Sequence, residues 1–486
     1  MTGIKVLISA VALFCVLLAG VRLELPRSMV AIEDLEVGQT PARFYQPATA
    51  SGAAVVIAHG FAGSLQMMEA YALTLAQAGH PVISFDFEGH GRNRVPMSGD
   101  VTSVDGTTAL LVAETRAVIA AARELTGEEA VALLGHSMAS DVIVRAAQGD
   151  ADVQAVVAVS MYSEAVSKAH PHTLLIITGA GEPHLRRAAV DALKLVDPRA
   201  EEGQTVARDG VLRRAVVAPW VEHVGVMQSR TALREARDWI AGERISDPVT
   251  APGPWLLLLL AAIVALAWPL STALGPERTA PPALKRGQFW IVILVPALLT
   301  PLVLRLVEIS WLPVLVADYL AMHLLVYGAL QLALLIWFGV RPEWPRPVAV
   351  LALAGWGILV FGLALDRYGA SFWPTPERWQ IIAAVGLGAV PVMVADSLLA
   401  AQRPRPVWRL LAARLAFFGA LLLAVALDPG ALFFLVIAFP VIVLFFLVFG
   451  LMGRWVSQRA GATSAGLGLG VILAWAIGVS FPMFAG

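Results

Sequence analysis

The sequence predicts a mainly parallel α/β sheet domain joined to an all-α, polytopic membrane domain. Three observations lead there. From about residue 28 to 250 the composition is that of an ordinary globular domain, and short apolar runs alternate with helix-like stretches. Such alternation builds a parallel sheet covered on both faces. From Pro254 onward, long apolar runs are broken by short links rich in Arg, Pro and Trp. Over the whole chain 58% of residues are hydrophobic and 15% charged, where a soluble protein carries about a quarter charged residues. The expected division is 1–27, 28–250 and 251–486.

The first part follows Lys5 with an apolar run from Val6 to Gly20. Two readings compete, a cleaved secretory signal and an uncleaved signal anchor. No clear small-x-small cleavage site is present beyond a marginal Leu18-Ala19-Gly20, so the anchor is preferred. Cys15 is the only cysteine, which rules out a disulfide framework or a cysteine metal site within one chain. A formal net charge of −1 gives no electrostatic case for a nucleic-acid partner.

The sheet domain reads as follows. Ile32 to Tyr45 forms one or two antiparallel edge strands. Ala53 to Ala58 is a buried strand ending in His59-Gly60-Phe61-Ala62-Gly63-Ser64, with a helix from Leu65 to Gly79. Pro81 to Phe85 is the next strand, ending in Asp86-Phe87-Glu88-Gly89-His90-Gly91, and a long helix covers Thr107 to Leu125. A strand, Val131 to Leu134, then runs into Gly135-His136-Ser137-Met138-Ala139 and a helix. Val153 to Val159 and Thr173 to Thr178 are further buried strands, followed by a helix from Leu185 to Leu195. Val211 to Val217 is the last strand and Val226 to Ala241 the last helix. Ligands of such sheets bind at the carboxyl ends of the strands, and every Gly- or His-bearing loop named here falls at such an end.

Strand, sharp turn carrying Ser137, then helix: this resembles the nucleophile elbow G-x-S-x-G of the α/β-hydrolases, with Ala139 in place of the last glycine. A serine hydroxyl is a weak nucleophile and needs a histidine base, which in turn needs an acid. The family's chain order is serine, acid, histidine. His170 and His172 precede the strand at Thr173, at its wrong end, and His184 starts a helix. His223 lies on the loop after the last strand, where the family places its base. Gly179-Ala180-Gly181-Glu182-Pro183 resembles the family's G-x-x-D-P stretch, with Glu182 for aspartate; Asp191 and Asp197 are weaker alternatives inside or after the next helix. The oxyanion donors expected are the backbone N–H groups of Met138 and Phe61. His59, Asp86 and His90 read as structural. The resemblance is to the lipase-, esterase- and serine-aminopeptidase-like branch and covers roughly residues 30–245. It implies neither metal nor cofactor. Only Met161 to His172 separate two strands where many relatives insert a helical cap, so an open site is expected.

After the sheet domain, runs long enough to span a bilayer occur at about 254–274, 288–306, 311–338, 346–366, 379–400, 407–427, 429–451 and 464–485. Twelve of the fourteen tryptophans lie in this half, many at the ends of runs, as in an interfacial belt. Arg278, Lys285 and Arg286 share one link, Arg341 and Arg346 another, Arg403, Arg405 and Arg409 a third, and Arg454 and Arg459 a fourth. The alternate links hold Arg305, Arg367 and Arg378, each near an acid, or just Asp428. Positive residues mark the cytoplasmic side, so residues 28–250 are expected outside the cytoplasm, on a multi-pass protein of the cytoplasmic membrane. Charges inside spans default to functional hypotheses. A pairing of Asp318 with Arg305 is expected, with His323 nearby and Glu308 before it, whereas Asp396 and Arg414 are expected to snorkel.

The resulting expectation is a membrane-embedded serine hydrolase that cleaves carboxylic esters, lipids among them, through Ser137, His223 and Glu182 and an acyl-enzyme. Amide cleavage is a lesser variant. Two alternatives stand beside it: an acyltransferase with the same triad, and a transporter or assembly protein whose hydrolase-like domain only binds. The partners expected are an ester or lipid substrate and membrane lipids.

Overall fold

The computed structural model describes residues 2–100, 103–307, 312, 314, 316–403 and 406–485. Helix α1 (Thr2–Ser28) leads into a hairpin of β1 (Ala31–Val37) and β2 (Thr40–Gln46). There follow β3 (Ala54–Ala58), α2 (Glu69–Gln77), β4 (Val82–Phe85), α3 (Ala109–Thr126), β5 (Val131–His136), α4 (Met138–Ala146), β6 (Val153–Val159), β7 (Thr173–Gly179), α5 (Pro183–Lys194), β8 (Thr205–Arg208), β9 (Val211–Ala218) and α6 (Arg230–Ala241). One nine-stranded sheet results, in the order β1-β2-β4-β3-β5-β6-β7-β9-β8. The six strands from β4 to β9 are parallel; β1, β2 and β8 are antiparallel edges.

The central strands read Ala54-Val-Val-Ile-Ala58 and Val131-Ala-Leu-Leu134 because both of their faces are covered. Tyr71 and Leu75 of α2 and Leu233 and Ala236 of α6 fill one face; Val118 of α3, Ile143 of α4 and Leu193 of α5 fill the other. From β3 the chain turns outward to β4 and then crosses back to β5 on the other side. That reversal opens a crevice at the carboxyl ends of β3 and β5.

Strand β8 was not foreseen. Its signal was present: Asp209-Gly210, both with positive φ (52° and 79°), turns β8 into β9, as an Asp-Gly hairpin requires. The expected helix at Leu65 begins as a 3₁₀ turn, Leu65–Met68, and the last helix is preceded by another, Gly225–Gln228. The Met161–His172 connection holds no helix. Buried Arg213 of β9 pins it instead, donating to the carbonyls of Ser167, His170 (3.2 Å) and Ala192 (2.8 Å).

The second half consists of α7 (Gly253–Ser271), α8 (Arg286–Leu304), α9 (Ala317–Trp337), α10 (Pro347–Gly355), α11 (Gly362–Tyr368), α12 (Trp379–Ala401), α13 (Val407–Leu427), α14 (Pro429–Leu432), α15 (Leu435–Ala460) and α16 (Ala462–Ser480). A wider-turned stretch, Trp356–Phe361, joins α10 to α11 into one span. Among the described residues nine helical segments are long and apolar enough to cross a membrane, α1 included. Helix α1 packs on α7 through Ala19, Leu23, Leu259 and Ile263. Helix α16 lies almost wholly inside the bundle. A methyl on Gly466 or Gly470 would fall 2.4 Å and 2.6 Å from the Cα atoms of Val394 and Val390 on α12, so glycine sets that close approach.

Two expectations about charge are corrected. Arg305 does not pair with Asp318: it donates to the carbonyl of Leu427 (2.9 Å), and Asp318 accepts from the N–H of Leu312 (2.8 Å). A carbonyl left open at the end of α13 took Arg305, and an N–H in the link before α9 took Asp318. Glu308 lies outside the described residues, as does Arg405. Asp396 and Arg414 do not snorkel separately but pair at 3.6 Å.

The two halves meet at one end of the helical bundle. Arg92 pairs with Asp366 (2.7 Å) and Arg94 with Glu377 (2.6 Å). Ser64 Oγ accepts from the N–H of Ser371 (3.0 Å). Buried Arg378 donates to the carbonyls of Gly89 (3.0 Å) and Gly478 (3.2 Å). Beyond α16 the chain turns back, and Met483 to Ala485 bond along Met97: Met97 N–H to Met483 O (2.8 Å) and Ala485 N–H to Met97 O (2.7 Å). The arginine-rich links gather at the opposite end, where Arg278 meets Glu343 and Pro282 bridges to Arg403.

Candidate active site

Six loops converge on the carboxyl edge of the sheet, after β3, β4, β5, β6, β7 and β9. The turn after β5 places Ser137 at φ 55°, ψ −118°, a conformation that costs a non-glycine residue about 1–3 kcal/mol. The surroundings enforce it. Ser137 N–H donates to Val159 O (2.9 Å), and α4 begins at the next residue. A methyl on Gly135 would sit 2.8 Å from the Ala139 carbonyl and 3.1 Å from its Cβ. Position 135 therefore demands glycine, whereas Ala139 fits, fully buried.

Ser137 Oγ lies 2.9 Å from Nε2 of His223, and Nδ1 of His223 lies 2.6 Å from Oε1 of Glu182. The structure thus brings together all three predicted side chains. Glu182 stands before α5, with Pro183 at the helix start, and reaches back to the sheet edge. Its other oxygen, Oε2, accepts from the Gly179 N–H (2.6 Å) and Ser160 Oγ (2.8 Å). Burial alone would raise its carboxyl, but the hydrogen bonds from His223, Gly179 and Ser160 outweigh it and hold the group below its ordinary value. The acid and base loops are bound to each other: Gly181 N–H donates to Val221 O (2.9 Å), and a methyl on Gly179 would meet that same oxygen at 2.7 Å.

The histidine has a second support. Nε2 of His136 lies 2.8 Å from the carbonyl of His223, and the two rings are 4.9 Å apart. Burial, reinforced by the His223 charge, pushes His136 down to about 4, so it stays neutral near pH 7. Ser160 and His136 were both missed by sequence reasoning. Ser160 could have been found as the residue at the carboxyl end of the strand beside the elbow; His136 is the variable position of the elbow itself and carries no such mark.

Phe61 stands on the turn after β3. A methyl on Gly60 would meet Ser137 Cβ at 3.0 Å, so the turn lies directly against the serine. The Phe61 N–H makes no hydrogen bond among the described residues, and Met138 opens α4, where a helix leaves its first N–H groups without internal acceptors. His59, as expected, is structural: its Nδ1 meets Gly60 O (2.8 Å) and its Nε2 accepts from the Phe87 N–H (3.1 Å). Asp86 caps the loops, accepting from Leu65 N–H (2.7 Å) and Arg92 N–H (2.8 Å). His90 packs 5.5 Å from the Phe61 ring. Among the described residues, Asp191, Asp197, His170, His172 and His184 make no hydrogen bond to Ser137, His223 or Glu182. No cluster that could hold a metal ion occurs among the described residues.

The helical half contributes to the same place. The Phe61 ring packs 5.4 Å from Phe434 and 6.3 Å from Phe484. The other rim is open: the His223 side chain is 43% exposed, and Trp220, three residues earlier with φ 63°, is 98% exposed.

Residues 49–236 match the family described as Serine aminopeptidase, S33, of the Hydrolase_4 group. This part of the chain has a mainly parallel, α/β-hydrolase-like fold. Solved structures similar to it include a CIB-like hydrolase from Thermoplasma acidophilum (15% identity, 44% of this chain and 98% of that one, TM-score 0.34). A thermostable carboxyl esterase from Bacillus coagulans is another (12%, 44% and 99%, TM-score 0.35). So is a carboxylesterase from Bacillus subtilis (12%, 47% and 99%, TM-score 0.34). No curated protein sequence matches the chain. The family match supports a hydrolase-type activity, and the nine apolar helical segments among the described residues are compatible with a multi-pass membrane protein.

Proposed function

We propose that this protein is a membrane-embedded serine hydrolase that cleaves carboxylic esters outside the cytoplasm. One observation carries the reading: the unbroken chain from Ser137 Oγ through His223 to Glu182, at 2.9 Å and 2.6 Å. In the first step His223 Nε2 takes the proton of Ser137 as Oγ forms a bond to the ester carbonyl carbon. Glu182, acting through Nδ1–H, fixes the tautomer and stabilises the imidazolium. The tetrahedral oxyanion falls against the N–H groups of Phe61 and Met138, at the positive end of α4. Collapse breaks the carbon–oxygen bond, and His223 gives its proton to the leaving alcohol. Water, deprotonated by the same imidazole, then releases the acid and regenerates Ser137. The half-open imidazole leaves room for that water.

The sheet domain rests at the end of the bundle away from the arginine-rich links, which supports an extracytoplasmic position. The Phe61–Phe434 contact puts the nucleophile beside the membrane domain, which supports ester substrates drawn from the bilayer surface. The test is labelling of the full-length protein in membranes with a fluorophosphonate probe. Labelling that Ser137→Ala abolishes is expected; labelling that survives the substitution, or none in the natural chain, overturns the reading.

A further inference from the structure

A large cavity lies away from Ser137, at the arginine-rich end of the bundle. It measures about 1410 Å³, more than the roughly 300–1,000 Å³ of a small-molecule pocket. Six cations line it: Arg278, Lys285, Arg341, Arg403, Arg414 and Arg454. Only three carboxylates offset them. Glu343 is taken by Arg278 (2.7 Å), Glu277 by Arg459 (3.2 Å) and Asp396 by Arg414 (3.6 Å). Lys285, Arg341, Arg403 and Arg454 are exposed and make no ion pair among the described residues.

The wall along α15 is of the other character. Leu447 and Leu451 line the cavity and stay exposed, and the ring of Phe446 lies beneath the Arg414 guanidinium at 4.3 Å. Gly450 leaves room for that guanidinium, whose Nη2 is 3.4 Å from where a methyl would stand. A cationic mouth above an apolar wall, at the level of the helix ends, matches an anion carried on a hydrocarbon chain. A soluble anion would leave the leucines wet. A zwitterionic lipid would leave the excess positive charge unanswered.

We propose that this cavity is a binding site for an acidic phospholipid, its phosphate held among Lys285, Arg403 and Arg454 and its acyl chain laid along Leu447 and Leu451 of α15. Basic pockets between membrane helices hold acidic headgroups in this way. The site is independent of the chemistry at Ser137.

The test uses the purified full-length protein in neutral detergent and tail-labelled phosphatidylglycerol, followed by fluorescence anisotropy. Phosphatidylglycerol is expected to bind roughly 30- to 150-fold more tightly than tail-labelled phosphatidylcholine, the level expected for two or three charges near a membrane surface at about 1 kcal/mol each. Lys285→Gln, Arg403→Gln and Arg454→Gln together are expected to abolish that preference; all three side chains are exposed, so folding is retained. Leu447→Gln with Leu451→Gln is expected to weaken both lipids. Inorganic phosphate is expected to compete only in large excess. Equal binding of the two lipids, a preference that survives the triple variant, or displacement by phosphate at the lipid's own concentration overturns the proposal.

Discussion

Ser160 shows how much a single hydroxyl carries at this sheet edge. Its Oγ is one of two donors to Glu182 Oε2, and a hydrogen bond to a charged group contributes about 1.5–3 kcal/mol. Ser160→Ala is expected to lower kcat about tenfold with little change in KM, measured on a soluble short-chain ester; an unchanged kcat would show that Gly179 alone holds the acid. Glu182 also leaves a mark on stability. Because its native carboxyl lies below the ordinary value, its contribution is complete above the unfolded value of about 4.3 and is lost as pH falls through the native one. The melting-temperature advantage of the natural chain over Glu182→Gln is therefore expected to be constant above about pH 5 and to shrink below it. A gap that stays constant down to pH 3 would refute this. At Gly135 the added methyl meets backbone rather than a movable side chain. Gly135→Ala is expected to destabilise the chain by about 1–3 kcal/mol, read as a lowered melting temperature.

At the scale of elements, the turn after β3 is held from two directions. Glycine-rich packing seats it on Ser137, and Phe434 and Phe484 press on it from the helical half. Phe434→Ala with Phe484→Ala is expected to lower kcat by up to the 10²–10³-fold (about 2.7–4 kcal/mol) of a lost oxyanion donor. Phe434→Leu with Phe484→Leu should recover most of it. Loss of activity with an equal fall in melting temperature would point to folding instead. The elbow, the acid and the base were legible because each follows a buried strand in a fixed chain order, and local patterning marks strand ends. The aromatic pair was not. Phe434 and Phe484 look like any phenylalanine at the end of an apolar run, and only tertiary structure sets them against residue 61. Strand β8 sits between: its Asp209-Gly210 turn is a local signal, but Thr205–Arg208 is too short and polar to stand out. Asp318 and Arg305 misled for a related reason, since a pairing argument ignores backbone carbonyls and N–H groups at helix ends and in links.

For the whole molecule, the prediction concerns sidedness. In a Cys15→Ser background, Trp220→Cys offers a thiol at a fully exposed position of the hydrolase domain, and Arg341→Cys one at the opposite end. A membrane-impermeant maleimide added to intact cells is expected to label the first at once and the second only after permeabilisation; the reverse pattern would place the hydrolase domain in the cytoplasm. The joined architecture also governs how the protein comes into being. Domains fold as they leave the ribosome, at about 5–20 residues per second, so the turn bearing Phe61 is made well before Phe434, and Phe484 follows only after α16. The sheet domain is then complete while the turn bearing Phe61 still lacks its two aromatic neighbours. On the proposed reading, hydrolytic competence arrives only with the last helices, so a chain whose insertion stalls part-way stays tethered by α1 and inert.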